Sequence, residues 1–138
     1  MPEITSTILI VDDELSIRRS LSIVLRRNYN IITAATGADT LSRMKKENVD
    51  LIILDLKLPD IDGLEVLRQI KSMDENLMVI VITAVKETRT AVEAMKIGAY
   101  DYINKPFDVA ELRALVDKAL EKGILIKENV SNLIIESM

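Results

Sequence analysis

Two hydrophobic rhythms alternate along this chain, and that alternation constrains its fold more than anything else in the sequence. Short unbroken apolar runs, rich in β-branched residues, occur at residues 7–11, 30–35, 51–54, 77–83 and 100–104. The strongest, Leu51-Ile52-Ile53-Leu54 and Met78-Val79-Ile80-Val81-Ile82, lack the polar alternation of a half-exposed strand. They read as strands buried on both faces, which points to a parallel sheet. Between them lie segments with helical spacing. Ile17, Leu21, Val24 and Leu25 form one stripe within residues 14–27, and Leu41, Met44 and Lys45 repeat in the same manner within 38–47. Leu64, Val66, Leu67 and Ile70 fall together within 63–73, and Gly98 stops a fourth segment over 87–97. Asp108, with Glu111 three residues on, resembles the capping box that opens a fifth helix. Five strands alternating with five helices predict an open, doubly wound α/β sheet with helices on both faces.

Composition narrows the chemistry. The chain has 138 residues, 49% hydrophobic, which suits one domain with a single sizeable core. It has no Cys, which excludes a disulfide framework, a thiol nucleophile and a zinc-thiolate site. It has no His either, so the commonest general base and transition-metal ligand are missing, and any phosphohistidine must belong to another molecule. The net charge of −4 argues against a phosphate-backbone binder, so no direct nucleic-acid binding is expected. The first apolar run stops at two aspartates and Glu3 precedes it, unlike a secretory signal. No stretch reaches the roughly 18 apolar residues of a membrane span. A cytoplasmic location without membrane contact is the expectation.

Ligands of open α/β sheets gather outside the carboxyl ends of the strands. The first run ends in Val11-Asp12-Asp13-Glu14, the third in Leu54-Asp55, the fourth in Ile82-Thr83-Ala84 and the fifth in Asn104-Lys105-Pro106. Asp12, Asp13 and Asp55 in one site, offset by Lys105, leave two net negative charges. One divalent ion neutralises that sum, and oxygen ligands favour a hard ion such as magnesium. An acid after a strand is often only a helix N-cap. Three strand-end acids together with a strand-end Thr and a strand-end Lys-Pro are much harder to explain structurally.

These pieces resemble the receiver domains of bacterial two-component response regulators. The resemblance rests on Ile-Leu-Ile-Val-Asp12-Asp13-Glu, Leu-Asp55-Leu-Lys-Leu-Pro59-Asp-Ile-Asp-Gly63, Ile-Thr83-Ala84 and Gly98-Ala-Tyr-Asp-Tyr102-Ile-Asn-Lys105-Pro106-Phe. It covers about residues 5–121 and includes the helix-four region typical of receivers joined to ATPase transcription activators. It implies a flavodoxin-like strand order 2-1-3-4-5. It also implies that Asp55 takes a phosphoryl group from a phosphohistidine on a sensor histidine kinase. Asp13, Asp55 and the backbone carbonyl of Lys57 would ligate Mg2+, for which Mn2+ substitutes, with Asp12 assisting through water. Lys105 would hold a phosphate oxygen as a point charge, and Thr83 and the Ala84 amide would donate to others. The Lys105–Pro106 bond would be cis.

On this resemblance Tyr102 turns inward when Thr83 moves toward the phosphate. That would reshape the face of helix four, strand five and helix five, which passes the signal to a downstream effector domain or protein. Tyr102 as an ordinary half-buried strand aromatic is the alternative. Lys57 and Val85, two residues beyond Asp55 and Thr83, are expected to slow hydrolysis of the acyl phosphate by their bulk and lack of acid. Ile17 is a candidate docking residue for the kinase.

Residues 122–138 exceed what such a domain needs. Leu112, Val116, Ala119, Gly123, Ile126, Val130, Leu133 and Ser137 follow steps of four and three, the seam of a helix extending into a homodimer. Gly123 weakens that pattern, and 124–126 and 133–135 also suit strands or a buried tail. The segment is too short for a DNA-binding or ATPase domain, and the chain is expected to be a piece of a longer regulator or to end as it stands.

Three other readings compete. A magnesium-dependent phosphohydrolase also forms an aspartyl phosphate, but such enzymes carry an acid where Lys57 stands. A flavodoxin-like cofactor binder needs a phosphate-friendly loop where Asp12-Asp13-Glu14 would repel phosphate. A pseudo-receiver scaffold would lack part of the acid, Thr and Lys set. A signalling domain that gains and loses its own phosphate is expected, rather than an enzyme turning over external substrates.

Overall fold

The computed structural model describes residues 5–84 and 88–136, with side chains to residue 128. Its order is β1 (Thr7–Val11), α1 (Leu15–Leu25), β2 (Asn30–Ala34), α2 (Gly37–Lys46), β3 (Leu51–Asp55), α3 (Gly63–Met73), β4 (Met78–Ala84), α4 (Thr88–Ile97), β5 (Asp101–Lys105) and α5 (Val109–Glu136). All strand pairs are parallel, and the sheet runs β2-β1-β3-β4-β5. The expected alternation, fold class and strand order are therefore observed. Predicted bounds differ by a residue or two at most ends, as fraying ends usually do.

Alternate side chains of each strand feed two cores, one on each face of the sheet, rather than the single core expected from length and composition. Ile8, Ile10, Leu51, Ile53, Ile80 and Ile82 pack with Leu21, Leu25, Leu112 and Val116 under α1 and α5. Leu9, Val11, Ile52, Leu54, Val79 and Val81 pack with Val66, Leu67, Ile70 and Ala94 under α2, α3 and α4. Every residue of the central strand β3 is buried. This explains the unbroken apolar runs, because neither face of the strand meets water.

Two glycines are fixed by geometry. Gly98 has φ +125°, where L side chains are strained, and it ends α4. A Cβ on Gly63 would lie 2.2 Å from the Leu56 carbonyl oxygen, and the Gly63 N–H donates to that oxygen at 3.1 Å. Only glycine lets the chain after β3 fold back this closely.

The last helix is one continuous element of 28 residues, about 42 Å at 1.5 Å per residue. The first positions of the heptad seam face the domain itself. Leu112, Val116 and Ala119 are buried in the core, Ile126 packs against it, and a Cβ on Gly123 would sit 3.4 Å from Met78. One residue beyond Ile126, Lys127 Nζ is 3.3 Å from Asp50 Oδ1, just before β3. Val130 and Leu133 lie outside the residues with described side chains, and Ser137 and Val85 lie outside the described residues.

Candidate functional site

Parallel strands place their carboxyl ends on one edge, so residues far apart in sequence meet there. Asp12 follows β1, Asp55 ends β3, Thr83 and Ala84 end β4, and Lys105 ends β5. The register pairs Asp55 with Ile82, Thr83 with Asn104 and Ala84 with Lys105. Asp12, Asp13 and Asp55 each offer a carboxylate oxygen, and these oxygens lie within 4.8 Å of one another.

Lys105 binds this cluster from the β5 side. Its ammonium donates to Asp55 Oδ2 at 2.9 Å, lies 2.9 Å from Asp12 Oδ2, and is 3.8 Å from Glu14 Oε1. The contact with Asp12 is an ion pair outside hydrogen-bond geometry, so the fully buried Asp12 Oδ2 has no hydrogen-bond donor. Burial raises the pKa of Asp12 above the ordinary carboxylate value. The Glu14 N–H and Lys105 oppose that rise, and the nearby Asp55 charge adds to it. Burial alone would lower the Lys105 pKa, but its contacts with the Asp12 and Asp55 carboxylates outweigh this and raise it. A buried carboxylate oxygen with an ion pair but no hydrogen bond, beside two further carboxylates, belongs to a donor set that suits a hard divalent cation.

Backbone groups fix the acids. The Lys57 N–H donates to Asp55 Oδ1 at 3.0 Å, and the Glu14 N–H donates to Asp12 Oδ1 at 2.9 Å. Arg18 Nη1 on α1 donates to the Asp12 carbonyl at 2.6 Å. The loop after β3 is held at its far end by Asp60, which accepts from the Gly37 N–H at 2.8 Å and the Ala38 N–H at 2.9 Å. The peptide bond between Lys105 and Pro106 is cis.

A family model described as "response regulator receiver domain" matches residues 8–117, which include every one of these strand ends. The chain belongs to that family.

Among curated relatives, this receiver domain is 42% identical over 114 residues to sporulation initiation phosphotransferase F of Bacillus subtilis, covering 82% of this chain and 92% of the relative. It is 38% identical over 122 residues to regulatory protein AtoC of Escherichia coli, covering 88% of this chain and 26% of that protein. Among solved structures, NtrX from Brucella abortus superposes with a TM-score of 0.86 at 34% identity, over 94% of this chain and 30% of that one. This chain thus spans nearly all of one relative and about a quarter of another. It is a receiver domain of a two-component response regulator, and the family match does not favour the phosphohydrolase reading.

The structure brings Asp12, Asp13, Asp55 and Lys105 together and leaves two expected residues apart from them. Tyr102 is 40% exposed on β5, and Ile17 packs half-buried against the α1–α5 core. Thr83 is buried, with its hydroxyl donating to Asn104 Oδ1 at 3.1 Å. Sequence reasoning gave no role to Glu14, Arg18, Asp60 or Asn104. Glu14 and Asn104 stand beside strand-end residues already singled out, which was their only signal. Arg18 reaches the site through the Asp12 carbonyl, and Asp60 ties the loop after β3 to the start of α2, both by backbone contacts that side-chain type does not announce.

Proposed function

We propose that Asp55 is the phosphoacceptor of this receiver domain. The observation that carries the reading is the placement of its nearly buried carboxylate between the Lys57 amide, the Lys105 ammonium and the carboxylates of Asp12 and Asp13. One carboxylate oxygen attacks the phosphorus of a phosphohistidine on a sensor histidine kinase. The P–O bond forms as the P–N bond breaks, and the departing imidazole keeps the electron pair and takes a proton. Such transfers rest on positioning and charge neutralisation.

Asp13, Asp55 and the Lys57 carbonyl would hold Mg2+ or Mn2+, with Asp12 acting through water. The ion supplies positive charge for the acids and the phosphoryl oxygens. Lys105 then leaves its carboxylate contacts to hold a phosphoryl oxygen, while the Thr83 hydroxyl and the Ala84 amide donate to others. Tyr102 follows Thr83 inward, and the α4, β5 and α5 face carries the change to an effector domain or protein. The helix beyond residue 121 is an arm for homodimer contact. Its support is the unbroken 28-residue helix and the exposure of Ile124 and Leu125. Among the described residues no helix is long and apolar enough to cross a membrane, and a cytoplasmic location fits that.

The test is phosphorylation by phosphoramidate, a small P–N donor, followed by intact mass. One phosphoryl group should be gained with Mg2+ or Mn2+ and none with EDTA. Equal labelling in EDTA would refute the metal-assisted reading.

A further inference from the structure

Thr83 and Asn104 face each other across β4 and β5 as register partners, and the Thr83 hydroxyl donates to Asn104 Oδ1 at 3.1 Å. The two differ in surroundings. Thr83 is 4% exposed, whereas Asn104 lies exposed on the edge strand β5. Tyr102 and Asn104, two residues apart, share one face of that strand, and Ile103 points to the opposite face and into the α1–α5 core. Asn is a poor strand former, yet here its amide oxygen takes the hydrogen of a buried hydroxyl.

A threonine hydroxyl has one hydrogen to give. While Asn104 holds it, no phosphoryl oxygen can. We propose that Asn104 is a positioning residue that retains the Thr83 hydroxyl in the unphosphorylated domain and so opposes its transfer to the phosphorylated site. This rests on the reading of Thr83 as a phosphoryl donor. Removing the Asn104 acceptor leaves a nearly buried hydroxyl unsatisfied in the resting state only. The resting state then rises in free energy, and the phosphoryl-bound state gains in population.

Beryllofluoride with Mg2+ serves as the phosphoryl mimic, and its affinity is measured by calorimetry on the full chain. Asn104→Ala, and Asn104→Leu, which keeps bulk without an acceptor, should each bind about three- to tenfold more tightly than wild type, the range of one net hydrogen bond. Thr83→Ala alone should bind more weakly. In a Thr83→Ala background the gain from either Asn104 substitution should fall below about twofold. A weaker Thr83→Ala with no gain from the Asn104 substitutions overturns the Asn104 proposal alone, as does an equal gain in both backgrounds. A Thr83→Ala variant that binds as wild type does overturns the reading of Thr83 and the proposal with it.

Discussion

Lys105 donates to Oδ2 of Asp55 at 2.9 Å from a position fifty residues along the chain, joining the ends of β3 and β5 across β4. The same ammonium stands 2.9 Å from the fully buried Asp12. Replacing it with Met leaves two buried carboxylates facing each other without a cation. Breaking a buried pair usually costs about 3–5 kcal/mol. Lys105 is 24% exposed, so water screens part of that, and about 1–3 kcal/mol is the expected loss. Urea unfolding without divalent ions checks it, and added Mg2+ should restore part of the loss.

Gly63 sets the shape of the chain between Asp55 and α3. A methyl group there would lie 2.2 Å from a backbone oxygen, which cannot give way as a side chain can. Gly63→Ala should therefore cost about 3 kcal/mol or more, at the upper end of single substitutions. It should also slow Asp55 phosphorylation, because the Lys57 amide that holds Asp55 lies on the same segment. Urea unfolding and labelling rate check the two parts.

Asp60 supplies a pH dependence. The Ala38 and Gly37 amides, in that order, hold its carboxyl below the ordinary value. Its folded pKa is depressed, so its contribution to stability is present above the unfolded pKa of 3.8. It is lost as pH falls through the lower folded value. Thermal unfolding of wild type and Asp60→Asn, compared from pH 7 to pH 3, should show a difference that is constant above about pH 5 and narrows below.

The arm beyond residue 121 is tied down unequally at its two ends of one ion pair. Lys127 is 65% exposed, and Lys127→Ala should cost under about 1 kcal/mol. Asp50 also accepts the Thr7 N–H at 2.7 Å. Asp50→Ala strands that donor and should cost about 1–2 kcal/mol. A urea midpoint series distinguishes them, with Asp50→Ala expected to be the more harmful.

The fold was legible because burial on both faces removes polar residues from the strands, and β1, β3 and β4 show that plainly. β5 was harder, since Tyr102 and Asn104 face outward from an edge strand. The candidate site was legible where side-chain type at strand ends marks it, as for Asp12, Asp13, Asp55 and Lys105, which the structure brings together. It was not legible where it depends on approach. The Arg18 contact with the Asp12 carbonyl, the Asp60 cap on α2 and the Thr83–Asn104 bond arise only once α1, α2 and β5 are packed. The heptad in α5 misled in part, because Leu112, Val116 and Ala119 spend their apolar faces on the domain's own core. A 3.5-residue seam and an amphipathic stripe are hard to separate over so few turns.

The central claim is that Asp55, among three clustered aspartates, is the one that takes the phosphoryl group. Borohydride cleaves an acyl phosphate and converts the modified aspartate to homoserine, which peptide mass mapping locates. After labelling with acetyl phosphate and Mg2+, homoserine should occur at position 55 and be absent from Asp55→Asn. Homoserine at position 12 or 13 in the wild-type protein, or a label that survives Asp55→Asn at the wild-type level, would contradict the account.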